Sequence, residues 1–144
     1  MALDTYSNLK TTIANYLNRS DLTAYLGDFI TLTEARLNRE LRVREMVNTD
    51  TSITTVAGTQ SYALPTGYLE ATTVIYQSNP YCTLKFINNS DFYNKYNVSQ
   101  SSGKPTYFTI VGTNILLGIA PDSATTLQIN YYKISITEYI ISHT

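Results

Sequence analysis

The spacing of apolar residues changes near Met46. Before it, apolar side chains recur every three or four positions; after it they alternate with polar ones. The first stretch predicts a helix from about Thr5 to Asn18, capped by Asp4 or Thr5. Its stripe is Tyr6, Leu9, Ile13, Tyr16 and Leu17. Arg19-Ser20-Asp21 makes a corner, with Asp21 capping the next helical stretch. Gly27-Asp28 interrupts that stretch, and Asp28 caps a restart that runs to about Arg44. Leu22, Leu26, Phe29, Ile30, Thr33, Leu37 and Leu41 fall within roughly 120° of a helical wheel. The reading is an amphipathic helical hairpin or bundle with one face turned to a partner surface.

Beyond Met46 the period drops to two. Strands are expected at Thr51–Val56, Gln60–Leu64, Tyr68–Tyr76 and Tyr81–Phe86, separated by Ala57-Gly58-Thr59, after which Gln60–Leu64 returns, and by Pro65-Thr66-Gly67 and Gln77–Pro80. Asn88 to Asn97 reads as a short helix capped by Ser90, which brings Phe92, Tyr93 and Tyr96 together. Ser99 to Lys104 reads as a polar loop. Pro105–Val111, Ile115–Ile119 and Thr125–Lys133, joined by turns at 112–114 and 120–123, predict an antiparallel β-meander. Ile134 to Ile141 extends the last strand or leaves it as a tail. The expected fold class is α+β. A helical segment over residues 1–46 precedes a Thr/Tyr-rich antiparallel β-meander or sandwich-like β-domain over residues 47–144.

Composition sharpens this division. The 144 residues suit one domain with a helical appendage. Residues 1–46 hold twelve of the 21 Asp, Glu, Lys and Arg side chains, whereas the longer remainder is rich in Thr and Tyr. Charged residues make up only 15% and the formal net charge is −1, which argues against a strongly basic nucleic-acid binder. A single His and a single Cys leave no His-based or Cys/His metal site within one chain. Cys82 reads as a small half-buried hydrophobe. The N-terminus shows neither the basic nor the apolar region of a secretory signal, and no apolar run is long enough for a membrane span.

Few residues nominate chemistry. Arg36, Arg39, Arg42 and Arg44 crowd the second helix but spread over more than half of its circumference. Glu40 stands four residues from both Arg36 and Arg44, so pairs along the helix or between subunits compete with a phosphate-contacting face. Asp122 sits in a turn where Asp is common, and Glu70 and Glu138 lie in strand-like stretches. No carboxylate pair stands out for acid/base work. Gly103-Lys104-Pro105 lacks the glycine pattern of a phosphate loop. The excess lies in Tyr, with thirteen and no Trp. Tyr-rich surfaces suit protein–protein contact or sugar binding, and also a half-buried sheet with hydroxyls at its rim.

The order of segments resembles the head-to-tail adaptor (connector) proteins of short-tailed bacteriophages, the tail tubular protein A-like family. The likeness rests on residues 29–42 (FITLTEARLNRELR), 58–65 (GTQSYALP), 67–70 (GYLE) and 103–110 (GKPTYFTI). It continues through Ile115-Leu116-Leu117 and Pro121 to Ile129-Asn130-Tyr131-Tyr132-Lys133. Similar adaptors continue into further helices, whereas this sequence stops within twelve residues of Lys133. The resemblance implies a structural virion protein that is not an enzyme and carries no cofactor, metal or catalytic residue. It implies a homo-oligomeric ring, commonly of twelve copies, between a portal protein and a tail nozzle protein. Double-stranded DNA passes through the lumen without sequence-specific binding, and no membrane is involved. Assembly would take place in the host cytoplasm, at the head–tail junction of the virion. Arg36, Arg39 and Arg42 are the interface candidates for pairing between subunits, and Tyr93 and Tyr96 for other contacts. The alternative is a carbohydrate- or receptor-binding β-sandwich module of a tail or surface protein, which leaves the helical segment unexplained. A small enzyme lacks a convincing nucleophile or base.

Overall fold

The computed structural model describes residues 5–96 and 102–134. They fall into two compact units, a helical one up to Met46 and a sheet unit spanning Val47–Lys133. The N-terminal Met1–Asp4, part of the expected 99–104 loop and most of the Ile134–Ile141 segment lie outside the described residues.

In the helical unit, α1 runs over Tyr6–Leu17. Thr5 caps it, its hydroxyl accepting from the Asn8 amide at 3.1 Å. Asn18 closes it in the left-handed region at φ 50°, a conformation Asn tolerates better than most residues. The predicted stripe fails at its far end, where Tyr16 is 90% exposed. Asp21 does not cap the next helix but forms an exposed ion pair with Arg19. A short 3₁₀ turn at Thr23–Tyr25 leads directly into α2, Leu26–Glu40. Gly27-Asp28 is therefore no interruption. A Cβ on Gly27 would lie 3.4 Å from the Tyr6 hydroxyl, an ordinary contact that a small side chain could make. Asp28 sits in the first turn of α2 and complements the helix dipole there. The helix stops at Glu40, short of Arg44, because Leu41 turns extended at ψ 135°.

The sheet unit holds seven strands: β1 Val47–Thr54, β2 Ser61–Ala63, β3 Tyr68–Tyr76, β4 Cys82–Phe86, β5 Tyr107–Val111, β6 Asn114–Leu117 and β7 Thr126–Lys133. Their order is β1-β7-β3-β4-β5-β6-β2. Every pairing is antiparallel except β4 with β5, where Lys85 stands opposite Tyr107. Two expectations are corrected here. The segment at Gln60–Leu64 does not return onto β1; β2 pairs with β6 instead. The last three strands do not form a meander, because β7 leaves β6 and inserts between β1 and β3. Its alternation explains the choice. Leu127, Ile129 and Tyr131 point one way and are almost fully buried, so a central position covers them better than an edge.

The sheet is nearly barrel-shaped. Its core gathers Val74 and Tyr76 of β3, Leu84, Phe108, Ile115 and Leu117 with the three inward residues of β7. Tyr62 on β2 braces the loop that joins β1 to β2. Its hydroxyl accepts from the Val56 amide at 3.0 Å and donates to the Thr59 carbonyl at 2.7 Å. Helix α3, Asn89–Lys95, packs on β5. Its cap is Asn88 rather than Ser90, the Asn88 side chain accepting from the Asp91 amide at 2.8 Å. The Thr109 hydroxyl is fully buried and donates to Asn89 Oδ1 at 2.6 Å, which ties α3 to the strand.

Candidate assembly surfaces

The helical unit exposes much apolar surface. Between α1 and α2 runs a groove of about 340 Å³, lined by Leu9, Ile13, Leu26, Phe29, Ile30, Thr33, Glu34 and Leu37. Five of the seven residues predicted as one stripe line it. Leu22 precedes α2 and Leu41 follows it. Leu26 and Ile30 are buried at its floor, whereas Phe29 keeps 51% of its surface exposed. Outside the groove, Tyr25 and Leu32 are 57% and 68% exposed. Contiguous exposed apolar surface of this kind marks an interaction site.

The three predicted arginines take different roles. The Arg36 Nε donates to Glu40 Oε1 at 3.1 Å, an exposed pair one turn apart on α2. Arg39 lies exposed in the last turn of α2. Arg42 folds back over the helix end, its Nη1 within 3.1 Å of the Asn38 carbonyl, 3.3 Å of Arg39 and 2.7 Å of Leu41. These carbonyls end the helix without partners of their own, so Arg42 acts as its C-terminal cap.

The two predicted tyrosines also separate. Tyr93 on α3 is 51% exposed and meets Phe92 edge-on at 5.7 Å. Tyr96 is half-buried, packed on Phe92 at 5.2 Å and near Tyr107 at 6.5 Å. The Lys95 ammonium sits 3.7 Å above the Tyr107 ring, a cation–π contact that holds the cluster together. Sequence spacing brought Phe92, Tyr93 and Tyr96 together, but gave no sign that Gly118 is the residue Tyr96 packs against.

A second hollow, of about 400 Å³, opens on the sheet unit between Tyr68, Leu69, Glu70 and Ala71 of β3 and Phe86, Phe108 and Ile110. Two register shifts bend β3 here. The Tyr68 hydroxyl accepts from the Ala71 amide at 2.8 Å, and burial raises its pKa above the ordinary tyrosine value. Among the described residues, no three His, Cys, Asp or Glu side chains are placed to hold a metal ion. None of their helices is long and apolar enough to cross a membrane.

Apolar surface exposed on the helices, and a sheet unit of low charge, suit a protein that packs against others. The chain belongs to the SU10 adaptor protein family, whose sequence model matches residues 4–138. It is thereby a structural head-to-tail adaptor of phage particles, which is not an enzyme class. No curated protein matches the chain.

Proposed function

We propose that this chain forms a ring of twelve copies beneath the portal, joins it to the tail nozzle and lines the passage through which DNA leaves. The family match over residues 4–138 carries this reading, and the narrower likeness to tail tubular protein A-like adaptors belongs to it. The helical unit makes the ring and meets the portal, and the sheet unit faces the tail. Arg36 and Arg39 pair between subunits, and Tyr93 contacts a neighbour. Arg42 and Tyr96 contribute mainly by shaping the elements that carry those residues. Two properties support the assignment. The exposed Tyr25, Phe29 and Leu32 are suited to a subunit interface. A net charge of −1 per copy presents no basic trap to passing phosphates. Subunits assemble in the host cytoplasm.

Native mass spectrometry of the purified chain, alone and mixed with portal protein, tests the proposal. A ring-sized species or a portal-bound complex is expected. A monomer indifferent to portal contradicts it.

A further inference from the structure

The sheet has a gap where β4 stops. β4 pairs with β3 only over residues 74–76, and with β5 only at Tyr107 and Phe108. Both neighbours run further, β3 back to Tyr68 and β5 on to Val111. The chain leaves the track of β4 at Asn88 to begin α3. Carried past Phe86, the two registers set Ala71 level with Thr109 and Leu69 level with Val111. Among the described residues, no strand stands between these two stretches.

Backbone groups on both sides face this gap. Phe108 turns its carbonyl to the Ile87 amide, so Ile110, two residues on, presents its amide to the same side, beyond the end of β4. Across the gap, the Ala71 amide donates to the Tyr68 hydroxyl at 2.8 Å, a side chain serving where a strand carbonyl would. The hollow of about 400 Å³ lies here, with Leu69 and Ala71 on one wall and Phe108 and Ile110 on the other. Tyr68, Ala71 and Ile110 pack on the sheet's core, so the hollow is an unfilled end of that core. Phe86 stands exposed at its rim.

An open strand edge binds an extended backbone, and a pocket beside it receives alternate side chains. We propose that the gap accepts an extended segment of another protein. That segment adds a strand between β3 and β5 and sets an apolar side chain at every second position into the hollow. Each of the seven strands is already paired in its own sheet, so the donor is a different protein rather than a second copy. The proposal goes beyond the ring reading and holds for the single subunit.

Selection of displayed random nonapeptides on the purified full chain tests it. The enriched peptides are expected to carry apolar residues at alternate positions. The best of them, added as a synthetic peptide, should slow exchange of the Ala71 and Ile110 amides about ten-fold or more and leave β1 unchanged. N-methylation of its alternate peptide bonds removes donors but keeps the side chains, and should abolish binding. Ala71→Phe, whose ring enters the hollow, should weaken binding about ten-fold or more with the unfolding temperature retained. Enrichment of no peptide, or of peptides that protect other amides, would overturn the proposal. So would an Ile110 amide already as slow as that of Thr109 in the isolated chain, because the gap would then be filled from within.

Discussion

The ring of Tyr96 occupies the space a side chain at residue 118 would need: a Cβ on Gly118 would stand 2.7 Å from two of its ring carbons. This contact seats the end of α3 against the chain just beyond β6, and it makes Gly118 a packing residue rather than a turn residue.

Gly118→Ala is therefore expected to cost about 1–3 kcal/mol, the range for overpacking a fitted site. The ring has to leave its contacts with Phe92 and Tyr107 to make room. In a Tyr96→Ala background the same substitution is expected to cost much less. Denaturant unfolding of the four proteins in this cycle gives the coupling directly; independent effects would show that the two residues do not compete for space.

Two buried hydroxyls predict opposite responses. Thr55 is fully buried, and its hydroxyl accepts from the Thr125 amide at 3.0 Å and lies 3.0 Å from the Thr125 carbonyl. Thr55→Val strands that amide and is expected to destabilise by about 1–3 kcal/mol. The Tyr76 hydroxyl is buried with no hydrogen-bond partner among the described residues. Tyr76→Phe is expected to be neutral within about 0.5 kcal/mol, or stabilising. Thermal unfolding of both variants checks the pair.

Two tyrosines of the sheet unit predict an alkaline limit. Burial raises the Tyr62 pKa, the bond with Val56 opposing this in part, and burial raises that of Tyr68 as well. A raised folded-state pKa means that folding favours the neutral phenol. That contribution is complete below the unfolded value of about 10 and is lost as pH climbs through the folded value. Ionised Tyr62 also loses the proton it donates to Thr59. Unfolding midpoints are expected to fall above pH of about 10. Tyr62→Phe, less stable at neutral pH, should show a shallower fall; an unchanged slope would remove Tyr62 from the explanation.

The arginines separate folding from assembly. Arg36→Ala removes an exposed pair and is expected to change stability by less than about 0.5 kcal/mol, while weakening portal-dependent assembly. Arg42→Ala uncaps α2 and is expected to lower its helicity by circular dichroism, at a cost of about 0.5–1 kcal/mol. If Arg36→Ala left assembly intact, its proposed role between subunits would be discarded.

Local signals in the chain predicted elements better than neighbours. β3 is found at Tyr68–Tyr76 as expected, because Gly67, at φ 75°, and the Gln77–Pro80 turn bound a clear alternation. The same alternation in β7 did not reveal its partners, since period two marks which residues face inward but not which strands lie beside them. Gly27 read as a helix breaker because the cost of glycine is a local property, yet α2 runs through it from Leu26 to Glu40. Among the interface candidates, Arg36 and Tyr93 were legible as exposed. The spacing of Arg42 and Tyr96 was the same as that of a surface residue, and only the folded chain shows one capping α2 and the other packed on Gly118.

The most direct test is a cryo-electron microscopy reconstruction of the phage particle that encodes this chain. The account predicts density for its seven-stranded sheet in a closed ring at the junction between capsid and tail, helices toward the portal. Finding the chain elsewhere in the virion, or nowhere in it, would contradict the account.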